Sequence, residues 1–133
     1  MKDQYHAYLK RREEIKRHPF GNIWLEQTSR YFHPFQIFGN VWYVGDSWVC
    51  VHLIDTGDGL LLIDSGNCGA TAMLVQAIWE AGFDPADVRW IIHSHGHVDH
   101  IGGANFFKQM YGIKLLLSAP DAEMFREQPE LSM

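Results

Sequence analysis

The chain is poor in cysteine, with only Cys50 and Cys68 in 133 residues. Two thiols cannot build a disulfide framework of the kind that holds small secreted domains together. No apolar run approaches the roughly 20 residues that a helix needs to cross a bilayer. The N-terminus is polar and offers no hydrophobic region leading to a small-residue cleavage site, so no secretory signal is expected. The chain as given reads as cytoplasmic, with reduced thiols and no membrane partner. A basic surplus is also missing: the net charge is −5. The six basic residues Lys2, Lys10, Arg11, Arg12, Lys16 and Arg17 face three acids in the first 17 positions, leaving −8 for the remainder. An acidic body excludes broad phosphate-backbone binding, so no nucleic-acid partner is expected. The basic stretch reads as a solvated helix face. The length allows one ordinary domain at most.

Histidine, by contrast, is plentiful, and half of it is concentrated in one place. His93-Ser94-His95-Gly96-His97-Val98-Asp99-His100 is followed by Ile101-Gly102-Gly103. Within it, His95, His97, Asp99 and His100 form the pattern H-x-H-x-D-H, after a short apolar strand Trp90–Ile92. Imidazole and carboxylate are the donors that Zn²⁺ and similar divalent ions take up. In a strand-end loop, residues two apart point the same way, so His95 and His97 can hold one ion. Asp99 and His100, one turn further round, can hold a second. An affinity tag would be terminal and would lack both the Asp and the Gly pair.

The remaining pattern places the loop in an α/β frame. Residues 2–17 are helix-prone, with Tyr5, Tyr8, Leu9, Arg12 and Ile15 along one weak stripe, and His18-Pro19 ends them. Residues 19–34 are irregular and aromatic (Phe20, Trp24, Tyr31, Phe32) and read as a cover, so that 1–34 form one segment and 35–133 the domain proper. Phe35–Phe38 and Val41–Val44 read as strands joined at Gly39-Asn40. Trp48–Ile54 and Leu60–Ile63 read as a third and fourth strand joined by the hairpin signal Asp55–Gly59. A helix is expected over Ala70–Ala81, closed by Gly82. Strand Trp90–Ile92, helix Ala104–Met110 closed by Gly112, strand Ile113–Leu117 and a helix from Pro120-Asp121 complete the order. One sheet with helices on its outer face needs something against its other face. His52 and Cys50 read as structural residues, Cys68 as an inert thiol near a helix start, and His6, His18 and His33 as surface or cover residues.

In order and spacing, four pieces resemble the metallo-β-lactamase superfamily: Gly39–Gly45, Leu61–Gly66, the histidine loop and Gly112–Ala119. The resemblance runs over residues 38–125 and is strongest to the lactamase subclass that uses His-x-His-x-Asp-His with no zinc-ligand cysteine. It implies the N-terminal half of an αβ/βα sandwich, with a mixed sheet carrying helices on one face and a two-zinc site at its edge. It implies His95 and His97 as ligands of the first zinc, and Asp99 and His100 as ligands of the second. Asp99 would also be catalytic, steadying the leaving group and its proton. Asp64 matches the family's strand-end carboxylate beneath the metals, a reading that stands beside a plain turn or cap residue. His93 reads as a strand-end or supporting residue. Gly102 and Gly103 would let the backbone bend tightly into the next helix.

One departure shapes the functional expectation. The superfamily completes its site with ligands from the second half of the domain, yet residues 101–133 contain no His and no Cys. Only Asp121, Glu123, Glu127 and Glu130 remain there as donors. The chain therefore reads as a half-domain truncated before the second αβ unit. The expected function is a zinc-dependent hydrolase acting on a small molecule (a β-lactam, lactone or thioester) by a metal-bound hydroxide, in a part incomplete alone. The other reading is a non-catalytic metal-binding or dimerising half-domain. The expected partner is a second copy or a complementary C-terminal half.

Overall fold

The computed structural model describes residues 2–16 and 27–128, with the side chains of 15 and 16 excepted. Four short strands, β1 (Phe35–Phe38), β2 (Val41–Tyr43), β3 (His52–Asp55) and β4 (Leu60–Ile63), form an antiparallel meander. Two further strands, β5 (Val88–Ile92) and β6 (Lys114–Leu116), join β4 in parallel, giving six strands in sequence order. Parallel neighbours require crossovers. The first carries α2 (Thr71–Glu80), and the second carries the single turn α3 (Val98–Ile101) and then α4 (Ala104–Tyr111). Helix α1 (Lys2–Lys16) precedes the sheet and α5 (Ala119–Glu127) follows it. The Asp55–Gly59 hairpin needs left-handed backbone at Gly57 and Gly59 (φ +77° and +99°), which glycine takes without a Cβ penalty.

The core lies on one face of the sheet. Leu53, Leu62 and Ile91, opposite one another on β3, β4 and β5, are fully buried with Leu74, Ala77 and Ile78 of α2 and Phe107 of α4. The other face carries Tyr43, His52, Ile63, Ile92 and Leu116 as one cross-strand row. Helix α1 covers only its β1–β2 end, where Tyr8 packs with Phe35, Tyr43 and Phe32. Farther along the row, Ile92 is 41% and Leu116 45% exposed.

Several expectations change. Of the α1 stripe, Tyr8 is buried and Arg12 is half-buried and donates to the Tyr8 hydroxyl, Tyr5 and Leu9 are exposed, and the Ile15 side chain lies outside the described ones. Of the aromatic cover, Tyr31 and Phe32 pack inward as half-buried residues, while Phe20, Trp24 and His18 lie outside the described residues. The third strand begins at His52 rather than Trp48, because the Asp46 carboxylate accepts the amides of Trp48 and Val49 (2.7 Å each) and folds that segment into a tight turn. Asp99 and His100 stand on α3, a helical turn that starts directly after His97.

Gly102 and Gly103 have ordinary right-handed backbone, so tight bending is not what they supply. A β-carbon at Gly102 would collide with the backbone of Asn67 and Cys68, and one at Gly103 would stand 2.6 Å from the Ser65 carbonyl. These glycines let α3 sit directly on the segment that follows β4.

Candidate metal centre

The parallel strands β4 and β5 run side by side, and both end at the same edge of the sheet, where the chain leaves β4 at Asp64 and β5 at His93. Asp64 is buried and holds left-handed backbone (φ +65°), rare for a residue with a side chain. Its amide still continues the ladder, donating to the Ile92 carbonyl (2.9 Å). The turned backbone aims its carboxylate at the histidine loop. There Oδ1 accepts the Ser94 amide (2.7 Å), and Oδ2 accepts the Ser94 hydroxyl (2.8 Å) and His100 Nδ1 (2.8 Å). Burial acts to raise the Asp64 carboxyl, but the hydrogen bonds from His100 and Ser94 outweigh it and hold the group below the usual carboxylate range.

That one carboxylate fixes the rings on both sides of it. Because Ser94 Oγ donates to Asp64, it accepts from His95 Nδ1 (2.9 Å), which leaves Nε2 of His95 free to face outward. His95 Nε2 then accepts a hydrogen bond from His97 Nδ1 (3.0 Å). Two nitrogens on a tetrahedral Zn²⁺ at about 2.05 Å stand about 3.3 Å apart. The pair is therefore within a few tenths of an ångström of the spacing that a shared ion imposes. On the other side, His100 gives Nδ1 to Asp64 and keeps Nε2 free, 3.8 Å from Asp99 Oδ2. The His95 and His100 rings lie 4.1 Å apart between centroids, so the two pairs adjoin.

All four expected donors thus share one patch at the sheet edge, in two pairs. Among the described residues no three donors gather around a single point. The carboxylates of α5 do not join them: Asp121 bonds the Ser118 that caps its own helix and Glu123 pairs with Arg126, and Glu130 is outside the described residues. Helix α5 instead lays Met124 and Phe125 against Gly96, where a β-carbon would stand 2.9 Å from the Phe125 ring.

The other singled-out residues support or stand apart. His93 is buried between Ser65 Oγ (3.3 Å) and the Leu116 carbonyl (3.3 Å), and burial lowers its pKa more than the carbonyl raises it. His52 packs edge-on against Tyr43, and burial lowers its pKa too. Cys50 is half-buried beside Tyr8 (3.5 Å), and Cys68 is an exposed free thiol. His6 is exposed, and His33 pairs on the surface with Glu80. Sequence reasoning passed over Ser94, although its place between a strand end and the first His was visible. It also passed over the buried pair Arg30 and Asp46, which no spacing announces.

A mixed sheet whose β4 and β5 ends present a His/Asp loop, held from below by a strand-end carboxylate, defines a metallo-hydrolase-like α/β fold. Residues 42–132 match the metallo-beta-lactamase superfamily, and the chain belongs to that family. Among its relatives, it is 33% identical over 81 residues to a hydroxyacylglutathione hydrolase of Anaeromyxobacter dehalogenans (strain 2CP-C), covering 61% of this chain and 29% of that protein. It is 30% identical over 86 residues to metallo-beta-lactamase domain-containing protein 1 of Rattus norvegicus, covering 65% and 31%. In structure it is similar to BJP-1, a subclass B3 metallo-beta-lactamase of Bradyrhizobium japonicum, with TM-score 0.70 and 33% identity over 74% of this chain and 38% of that one. It is also similar to MIM-1 from Novosphingobium pentaromativorans, with TM-score 0.61 and 42% identity over 63% and 31%. The chain spans about a third of the length of the relatives it matches.

Proposed function

We propose that these residues are the N-terminal, metal-gathering part of a zinc-dependent hydrolase. The observation that carries the reading is the His95 Nε2–His97 Nδ1 approach of 3.0 Å, with the far nitrogen of His95 held by Ser94. His95 and His97 hold the first ion, and Asp99 and His100 the second. A carboxylate behind a metal-binding imidazole fixes its tautomer and raises its basicity, and Asp64 does this for His100 directly and for His95 through Ser94. Zinc bound there supplies Lewis-acid polarisation of a carbonyl and brings a water's proton within reach at neutral pH. Asp99 is the free carboxylate of the group, placed to steady a leaving group and its proton.

The substrate class is a small molecule with a carbonyl open to hydrolysis: a β-lactam, a lactone or a thioester. Its support is the pair of named relatives, one a hydroxyacylglutathione hydrolase and the other a metallo-beta-lactamase. A catalytic zinc ordinarily has three protein ligands plus a water. With donors meeting only in pairs, the first ion would lack a third protein ligand among the described residues, and the described part is expected to hydrolyse little by itself. That same pairing supports a second reading, a metal-binding half-domain without chemistry.

The deciding experiment measures zinc per chain and the zinc-dependent hydrolysis of a chromogenic lactam and a thioester. Measurements are made on this chain and on the chain joined to a complementary C-terminal half. Zinc uptake by the chain, with turnover only in the joined protein, supports the hydrolase. Zinc uptake with no turnover in either supports the second reading, and no zinc uptake removes both.

A further inference from the structure

Arg30 is 1% exposed, and arginine is almost never fully buried unless it is paired. Its pairing is incomplete: Nε stands 3.6 Å from Asp46 Oδ2, and Nε and Nη2 have no hydrogen-bond partner among the described residues. The guanidinium lies 5.4 Å from the centre of the Trp48 ring. A half-satisfied buried cation costs stability, so its retention needs an account.

The account lies in what residue 30 holds. Ser47 donates both its amide (2.9 Å) and its hydroxyl (3.0 Å) to the Arg30 carbonyl. Asp46, facing the guanidinium with Oδ2, spends Oδ1 on the amides of Trp48 and Val49. The turn 45–49 is thereby fastened to the short 3-10 turn Gln27–Arg30. It also borders the segment that follows β4, since Gly45, Asp46 and Val49 line one small cavity with Gly66 and Ala70. At the other end of the same 3-10 turn, the Gln27 amide occupies the space of a Gly69 β-carbon. Residues 65–69 in turn grip α3: Ser65 donates its amide to the His100 carbonyl (2.8 Å), Gly102 donates to Gly66 (2.9 Å), and Gly102 lies on Asn67-Cys68.

We propose that the turn Gln27–Arg30 positions Asp99 and His100, bracing α3 through residues 65–69, with the Arg30–Asp46 pair fastening the adjoining turn 45–49. This rests on the zinc reading above. Arg30 and Asp46 are positioning residues, since neither touches the expected ligand atoms. As a pair their charges compensate each other at 3.6 Å, with both side chains buried. Removing the Asp46 charge leaves the buried guanidinium uncompensated, and removing the guanidinium loosens the turn.

The test uses the whole chain and Co²⁺, whose visible absorption reports each site, together with amide hydrogen exchange in metal-free protein. Asp46→Asn keeps an oxygen for the Trp48 and Val49 amides. It is expected to weaken the second Co²⁺ about tenfold while the first changes less than about twofold. Arg30→Lys keeps the charge but loses the planar group over Trp48. It is expected to speed exchange several-fold in 45–49 and in 98–102 together, with α2 unchanged. Equal weakening of both ions, or exchange that quickens in 45–49 alone, overturns the proposal. Should the wild-type chain take up no Co²⁺, the zinc reading falls, and the exchange measurement alone decides on the brace.

Discussion

At the scale of single residues the metal centre hangs on Asp64 and Ser94. Asp64 accepts three hydrogen bonds at 2.7–2.8 Å, two from Ser94 and one from His100. Ser94 passes that hold to His95. Replacing a partner behind a ligating imidazole typically costs 10–100-fold in metal affinity. Ser94→Ala is therefore expected to weaken the first ion about tenfold by isothermal titration, and Asp64→Asn to weaken both. The double change His95→Ala and His97→Ala should abolish most zinc uptake, whereas Asp99→Ala should weaken the second ion more than the first. Full zinc stoichiometry in the double variant would show that the ligands lie elsewhere.

At the scale of elements, the close seat of α3 on residues 65–69 makes its own prediction. Gly102→Ala drives a methyl group into the Asn67–Cys68 backbone, which has no flexible end to give way. The expected cost is about 2–3 kcal/mol, read as a lower urea midpoint, with the second ion's affinity falling alongside. A variant as stable as the parent would mean that the segment shifts freely. The seat was not legible in the sequence, because it joins residues 35 positions apart and depends on an absent side chain. The strands were legible where apolar residues alternate or run together, as in Leu60–Ile63, and α2 was legible from Leu74, Ala77 and Ile78. Trp48–Val51 misled for a physical reason: the run lies just after Asp46, whose side chain captures the amides of Trp48 and Val49 first. Arg30 and Asp46 pair across 16 positions with no motif between them, so only folding brings them into view.

At the scale of the whole molecule, one buried and one half-buried imidazole, His93 and His52, tie stability to pH. His52 and His93 both have folded-state pKa values lowered by burial below the ordinary value of about 6.5. A depressed value means that the unfolded chain binds the proton first, so these groups favour folding above about pH 6.5 and lose that contribution as pH falls. Asp46, raised by burial, acts with the opposite sign. Metal-free chain should show a falling urea midpoint from pH 7.5 to 5.5, with a shallower fall in His52→Gln. A midpoint that rises over this interval would contradict the assignment of both rings as neutral.

The inner face of the sheet carries the last argument. Ile63, Ile92 and Leu116 continue the row that starts at Tyr43, but α1 reaches only the Tyr43 end. Leu61 and Trp90 pair in the next row, both partly exposed. Apolar surface returned to cover stabilises by roughly 25 cal/mol per Å², so hiding a few hundred Å² supplies several kcal/mol, a large share of a small domain's stability. A contiguous patch of that kind marks an association surface. The relatives extend about three times as far as this chain. For this chain alone, a second copy in two-fold pairing is the available cover. Sedimentation at micromolar concentration should show a dimer, and Trp90→Glu should shift it to monomer without loss of helix signal. A cooperative monomer in the parent chain would mean that the segment before β1 covers the face by itself.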